Sequence, residues 1–301
     1  MNENIITTSA LDFSFSSGRK VLNDINLAVP KGSIYGFLGP NGAGKTTTLR
    51  LILGLIKSSG DKVKIFGQDL NKERISILQR IGSLIEQPSL YLHLTAKENL
   101  EVFRLSYGCD KKRIQQVLGI VGLSDTADKK ARAFSLGMKQ RLAIAIALLH
   151  DPELLILDEP SNGLDPNGII EMRKLIIKLN QEFGKTILIS SHLLNEMEKM
   201  ATHLGIIHQG SLLFQGSMDE LHGMKGKSTL SLTTDNDVAA KSILEKNYAV
   251  TVSENGLNVG IEGKESIPAI NKALVEQGLK VYHLSPMQFN LEDMFMQTLN
   301  S

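Results

Sequence analysis

One stretch of this 301-residue chain has the residue types and the spacing of a phosphate-binding loop. It fits the pattern G-x-x-x-x-G-K-[ST] without a mismatch. With one further threonine, the residues expected to contact a nucleotide here are Gly39, Pro40, Asn41, Gly42, Ala43, Gly44, Lys45, Thr46 and Thr47. Glycines let the backbone turn its N–H groups toward phosphates, Lys45 is expected to reach the β- and γ-phosphates, and Thr46 is expected to bind Mg²⁺. The loop alone does not separate kinases, GTPases, motors and transport ATPases.

Acidic and histidine side chains follow two apolar segments farther along the chain. Asp158 and Glu159 come directly after residues 154–157, and His192 follows residues 187–191. Short apolar runs are typical of strands buried on both faces of a parallel sheet, and ligands bind at the carboxyl ends of such strands. The acidic pair is therefore expected beside the ligand. The alternatives are a solvated turn for the acidic pair and a purely structural role for the histidine.

The segments around these residues predict an α/β fold. Residues 34–38 form an apolar run before the loop and residues 47–56 form a helical stretch after it, which is the order that the motif requires. The N-terminus of that helix places partial positive charge beside the phosphates. Farther on, strands and helices alternate, which indicates a mainly parallel sheet with helices on both faces.

The segment before the loop predicts two strands, at residues 11–15 and 21–29. Phe15, at the end of the first strand, is a candidate to stack on a nucleotide base. An aromatic residue packed in the core is an equal alternative. The segment therefore offers one possible contact to the base.

The middle of the chain predicts a helical subdomain at about residues 89–150. Residues 89–133 show no strand pattern, and Thr95 with Glu98 forms a possible capping box at the start of a helix. Ser135 stands in the N-cap position of the next helix, whose apolar body is residues 142–149.

The end of the chain predicts a separate small domain. Residues 221–227 are rich in Gly, Lys and Ser and are interpreted as a linker between domains at 1–222 and 228–301. The order of elements beyond the linker is βαββαβ, the ferredoxin-like split motif, with a last helix near residues 291–299. No residue there suggests catalysis, so a regulatory or interaction role is expected.

The composition excludes several functional classes. A formal net charge of +1 gives no basic face for nucleic acid, so no nucleic-acid partner is expected. No apolar run reaches the 18 or more residues of a membrane span. The N-terminus lacks the features of a signal peptide, and Cys109 is the single cysteine, which excludes an internal disulfide and fits the cytosol.

The loop, the stretch at residues 135–141, the acidic pair and His192 resemble the ATP-binding cassette ATPases in order and approximate spacing, over about residues 5–220. The resemblance implies a P-loop NTPase with a mainly parallel core sheet, an antiparallel β subdomain and a helical insert, here followed by the small α+β domain. In that family two domains dimerise head to tail, and each ATP lies between the phosphate-binding loop of one chain and the signature stretch of the other.

The family's roles carry over to individual residues of this chain. Asp158 is implied to hold Mg²⁺ together with Thr46. Glu159 is implied to act as the general base or to orient the water, and His192 to contact the γ-phosphate and the attacking water. Asp165 matches an acidic residue that contacts the opposing subunit.

The family signature Leu-Ser-Gly-Gly-Gln is modified here. Residues 134–138 read Phe-Ser-Leu-Gly-Met, which keeps Ser135 and Gly137, the groups that face the opposing γ-phosphate in the family. Met138 replaces the glutamine, so its side-chain contribution is lost, although the helix N-terminus remains an anion site.

The loop that carries a metal-binding glutamine in the family also differs. Alignment of the preceding strand places Glu86 at that position and Gln87 one residue later. A carboxylate there would bind Mg²⁺ with a full charge but repel the γ-phosphate, so that hydrolysis and coupling would change. Both residues are therefore candidate Mg²⁺ ligands.

Glu86 and the modified signature most resemble the subgroup that serves lantibiotic immunity and bacitracin resistance. The resemblance implies an ATPase subunit on the cytoplasmic side of the membrane, which homodimerises on ATP and powers a separate permease that exports an antimicrobial peptide or drug. The alternatives are a soluble cassette ATPase of translation or DNA maintenance, a metabolic kinase, and pairing with a second, different ATPase chain.

Overall fold

The computed structural model describes residues 3–15, 18, 20–57, 62–86, 89–223, 229–253, 256–261, 263 and 265–287. Contacts within the chain divide it into two units, Met1–Met218 and Asp219–Ser301. No helix among the described residues is both long enough and apolar enough to cross a lipid bilayer.

The first unit is a mixture of strands and helices. Its elements in chain order are β1 (Asn4–Thr8), β2 (Leu11–Ser14), β3 (Lys20–Ile25), β4 (Ala28–Pro30), β5 (Ile34–Leu38), α1 (Lys45–Ile52), β6 (Val63–Ile65), β7 (Gln68–Asp69), α2 (Arg74–Leu78), β8 (Ile81–Leu84), α3 (Ala96–Tyr107), α4 (Lys112–Ile120), α5 (Leu136–Ala147), β9 (Leu154–Asp158), α6 (Pro166–Gln181), β10 (Thr186–Ser191), α7 (Leu194–Glu198), β11 (His203–His208) and β12 (Ser211–Ser217).

The central sheet has six strands in the order β12-β11-β5-β10-β9-β8. All neighbours are parallel except β12, which pairs antiparallel with β11 at one edge. Every residue of β5, β9 and β10 is buried, as expected for strands covered on both faces. The register pairs Ser191 with Leu38 and Ser190 with Asp158, so these three strands end together at one edge of the sheet. The mainly parallel core sheet is thus confirmed.

An antiparallel sheet β4-β1-β6-β7 and the β2–β3 pair form the expected antiparallel subdomain. The prediction of one continuous strand over residues 21–29 is wrong. Asp24 has a left-handed φ of 51°, and the Asn26 side-chain amide donates to the Asp24 carbonyl oxygen at 3.0 Å. This turn ends β3 and sends β4 to pair with β1 in a different sheet.

The helical subdomain contains α3, α4 and α5, with short 3₁₀ turns between the last two. Its capping box is confirmed, because Thr95 N donates to Glu98 Oε2 at 2.8 Å and Glu98 N donates to Thr95 Oγ1 at 3.1 Å. The hydrogen bond from the Thr95 backbone lowers the pKa of Glu98, which favours the charged carboxylate at the positive end of α3.

The second unit follows the expected βαββαβ order. Its elements are β13 (Thr229–Thr234), α9 (Asp237–Leu244), β14 (Val250–Ser253), β15 (Gly256–Gly260), α10 (Ser266–Glu276) and β16 (Val281–Met287), after α8 (Met218–Gly223) at the boundary. The antiparallel sheet order β14-β15-β13-β16 is that of a ferredoxin-like fold. The core lies between apolar residues of the strands, such as Leu230, and of the helices, such as Leu274.

The linker prediction is wrong at its start. Leu221 is buried within α8, so residues 221–223 belong to a helix. Residues 224–228 and the last helix, expected near residues 291–299, lie outside the described part of the chain.

Candidate functional site

The phosphate-binding loop joins β5 to α1 in a conformation that needs glycine. Gly44, at the N-cap of α1, has a φ of 111°, and no side chain caps this end of the helix. At Gly39 an added Cβ would lie 2.4 Å from the carbonyl oxygen of Ile207, so the loop packs directly against β11. The first N–H groups of α1 are therefore free to receive an anion.

Lys45 places a buried positive charge over this loop. Its side chain is only 6% exposed, and Nζ donates to the carbonyl oxygens of Gly39 at 2.7 Å and Pro40 at 3.3 Å. Nζ also lies 3.1 Å from Glu159 Oε1. The structure thus brings the loop lysine and the acidic residue after β9 together.

Thr46 and Asp158 bring two side-chain oxygen groups together beside the loop. Thr46 Oγ1 donates to Asp158 Oδ2 at 2.8 Å, and Ser190 Oγ donates to Asp158 Oδ1 at 2.5 Å. Oxygen donors suit Mg²⁺, which usually takes one or two protein ligands and completes its shell with water and phosphate. Within the described ranges, no group of three or more His, Cys, Asp or Glu side chains is arranged to hold a metal ion.

Glu159 and His192 meet beside this pair. Glu159 Oε2 lies 2.8 Å from His192 Nδ1, and the Glu159 backbone N–H donates to Ser190 Oγ at 2.9 Å. Glu159 has a φ of 47°, a left-handed conformation that is costly for a residue with a side chain and is found most often at functional sites. Its carboxylate therefore lies between a lysine and a histidine at the edge of the sheet.

A cavity of about 640 Å³, called the loop cavity, opens beside these residues. Its lining residues are Phe15, Lys20, Val21, Asn41, Gly42, Gly44, Lys45, Thr46, Thr47, Glu159 and Gln209. Phe15 is 48% exposed and packs edge-on against Phe13, with ring centroids 5.0 Å apart. Phe15 is thus a partly exposed residue of the cavity wall and is not buried in the core.

Ser135, Gly137 and Asp165 lie outside the loop cavity. Ser135 Oγ accepts a hydrogen bond from Met138 N at 3.3 Å, which confirms its N-cap position. Asp165 caps α6 through Gly168 N at 3.1 Å. A Cβ on Gly137 would lie 3.7 Å from the Leu164 side chain, so the signature stretch adjoins the turn before Asp165.

Glu86 does not reach Thr46 or Asp158. Its carboxylate contacts the guanidinium group of Arg50, one helical turn beyond Thr46 on α1, and its φ is 63°. Gln87 lies outside the described residues. A metal-binding role for either residue stays a prediction.

The sequence analysis missed Ser190 and Gln209. Ser190 is the residue of β10 that pairs with Asp158, so the parallel register of β9 and β10 contained a signal for it. Gln209 lies in the turn after β11 and lines the cavity because the fold brings this turn beside the phosphate-binding loop. No sequence motif indicated this position.

We expect Ser190→Ala to destabilise the fold by about 1–3 kcal/mol, because the Glu159 N–H and the Asp158 carboxylate both lose a buried partner. The variant is also expected to hydrolyse nucleotide more slowly, since Asp158 and Glu159 are no longer held together. Urea unfolding and phosphate release measure the two effects.

Ser242→Ala is the matched control for that change, because the Ser242 hydroxyl only donates to the Val238 carbonyl oxygen on the exposed side of α9. An unchanged rate for Ser190→Ala would show that the serine does not position the acidic pair.

Comparison with known proteins adds four similarities. The ABC transporter family model matches residues 22–162. The chain is 44% identical to the bacitracin transport ATP-binding protein BcrA of Bacillus licheniformis, over 98% of this chain and 97% of that protein. It is 42% identical to the lantibiotic transport ATP-binding protein SrtF of Streptococcus pyogenes, over 67% and 86%. The ATP-binding cassette MJ0796, solved as a post-hydrolysis dimer with ADP and Pi, is 27% identical, with a TM-score of 0.63 over 71% of this chain and 98% of that one.

Proposed function

Because this chain belongs to the ATP-binding cassette (ABC) transporter family and is one of its ATP-hydrolysing subunits, we propose that it binds Mg·ATP in the loop cavity and drives a separate membrane permease. The observation that carries this proposal is the position of the Glu159 carboxylate, between Lys45 and His192 and beside the phosphate-binding loop. A soluble cassette ATPase is not favoured, since the two relatives are transport subunits matched over 97% and 86% of their length.

Each residue of the site has a separate role in the proposed hydrolysis of ATP. Thr46 and Asp158 would hold Mg²⁺, whose charge would offset part of the negative charge of the phosphates. Lys45 Nζ gives up its hydrogen bonds to the loop carbonyl oxygens and donates to phosphate oxygens instead. It thereby stabilises the charge of the transferring phosphoryl group. Glu159 accepts a proton from the attacking water, and His192 holds the carboxylate in position through Nδ1.

A second copy completes each site in this proposal. Ser135 and Gly137 begin the 12-residue helix α5 at an accessible position and do not line their own loop cavity. The N-terminus of such a helix attracts anions, so it can receive the γ-phosphate bound by a second chain arranged head to tail. Asp165, next to the signature stretch, then contacts the partner chain.

The transported substrate is proposed from the relatives. Two proteins at 44% and 42% identity are named for bacitracin transport and lantibiotic transport. We therefore propose that the partner permease exports an antimicrobial peptide or drug, with this chain on the cytoplasmic side of the membrane. The domain at 228–301 has a regulatory or interaction role, and 1–222 forms the nucleotide-binding domain.

The head-to-tail dimer is tested in a chain that carries Glu159→Gln to slow hydrolysis. We expect Mg·ATP to convert this monomer to a dimer, measured by light scattering, and Ser135→Arg to abolish the conversion by placing a bulky side chain in the interface. Ser242→Arg, on the exposed face of α9, is the control and should dimerise normally.

Dimerisation of the Ser135→Arg chain would contradict a role for the signature stretch between subunits. The transport role is tested separately, by coexpression with the permease in a sensitive bacterium. The wild-type chain should raise the bacitracin concentration that cells tolerate, and Glu159→Gln should not.

A further inference from the structure

The turn between β11 and β12 has a conformation that does not suit its first residue. The loop contains two residues, Gln209 and Gly210, with φ values of 44° and 79°. Positive φ at both positions defines a type I′ turn, in which Asn or Gly is strongly preferred at the first position. Gln209 therefore occupies this position against the backbone preference.

The turn is fixed to the phosphate-binding loop and to β3. Gly210 N donates to the Ala43 carbonyl oxygen at 3.0 Å, and Asn23 N donates to the Gly210 carbonyl oxygen at 2.7 Å. A Cβ on Gly210 would lie 2.2 Å from the Val21 carbonyl oxygen. The backbone of the turn thus cannot relax without breaking these contacts, and it holds Gln209 at the wall of the loop cavity.

The Gln209 side chain has hydrogen-bonding capacity that the protein does not use. It is exposed, and within the described part of the chain it forms no hydrogen bond. Lys20, a polar neighbour in the same wall, is already engaged with Asp12 and Asn23. The Gln209 amide thus offers two N–H donors and one carbonyl acceptor to a ligand in the cavity.

The place of Gln209 indicates which part of a ligand it meets. The phosphate end of the cavity is supplied by the loop, Lys45 and Thr46. Gln209 lines the same cavity in a turn that also contacts β3, the strand paired with β2 next to Phe15. An uncharged amide matches the neutral donors and acceptors of a base or a ribose, whereas phosphates select cations and backbone N–H groups.

We propose that Gln209 hydrogen-bonds the nucleoside half of ATP, at the base edge or the ribose hydroxyls, and so contributes to nucleotide selection. This inference rests on the proposed ATP site. The residue is a binding and specificity residue and takes no part in the phosphoryl transfer.

The test replaces Gln209 with glycine, which suits the turn and removes the amide. We expect the thermal midpoint of the Gln209→Gly chain to stay the same or rise, and its dissociation constant for ATP to increase roughly three- to tenfold. Its dissociation constant for inorganic tripolyphosphate, which contacts only the loop, should not change. If the glycine variant has a lower thermal midpoint, Gln209→Asn serves as the second variant. Asparagine also suits the turn, and this variant is expected to weaken ATP binding.

Nucleotide analogues distinguish the two possible contacts. If Gln209 binds the ribose, the wild-type protein should bind 2′-deoxy-ATP more weakly than ATP. If Gln209 binds the base, it should bind ITP more weakly than ATP. The Gln209→Gly chain should not show either difference. Equal ATP affinity in wild type and Gln209→Gly would overturn the inference, and so would an equal loss for ATP and tripolyphosphate. A wild-type chain that binds no ATP would instead contradict the proposed function itself.

Discussion

Replacement of Glu159 by glutamine is expected to slow ATP hydrolysis by about 10²–10⁴-fold, because an amide cannot accept the proton of the attacking water. Binding of ATP should persist. The variant keeps the size of the side chain and a polar partner for His192, and it removes the carboxylate that lies 3.1 Å from Lys45 Nζ. Phosphate release measures the rate, and calorimetry with Mg·ATP measures the affinity.

Glu153→Gln makes the same chemical change at the opposite end of β9. Glu153 pairs with Arg80 at the surface and does not line the loop cavity, so this control should hydrolyse ATP at the wild-type rate. A Glu159→Gln chain that retains more than a tenth of the wild-type rate would assign the proton acceptor to another group.

Replacement of Lys45 by methionine is expected to weaken ATP binding by about ten- to hundredfold, the value of hydrogen bonds from a charged donor to phosphate. Methionine keeps most of the length of the side chain and removes its charge. Because the loop backbone is held by Gly39 against β11, its N–H groups should remain in place. The loss thus reports the ammonium group alone, and it is measured by titration with ATP.

Lys174→Met, on the exposed side of α6, is the matched control for the loss of one positive charge. Similar losses in both variants would indicate a general electrostatic effect of net charge. An unchanged affinity in Lys45→Met would show that backbone N–H groups suffice for the phosphates.

Much of the site follows from sequence because of a property of parallel sheets. The motif identified the loop, and the apolar runs before Asp158 and His192 predicted strands that end at the same edge. The structure places Lys45, Glu159 and His192 together there. Such proximity needs the parallel direction of the strands, which the alternation of strands and helices predicts, and their order in the sheet, which the structure provides.

Other features depended on contacts that sequence periodicity does not report. The break between β3 and β4 comes from the left-handed Asp24 and its hydrogen bond with Asn26, although the apolar pattern continues through both strands. The position of Gln209 arises because β11 lies beside β5, which brings a distant turn to the loop. Glu86 is directed by its ion pair with Arg50, a partner that no local pattern indicates.

The left-handed backbone at Glu159 has a consequence for how this chain evolves. A glycine or asparagine at that position would fit the backbone with less strain, and the relief is on the order of 1 kcal/mol. Selection for stability alone therefore acts against the residue that we propose as the proton acceptor in hydrolysis. In a duplicated gene that is no longer selected for transport, mutations that replace Glu159 would make the protein more stable. Inactive descendants should therefore lose Glu159 early while they keep the fold.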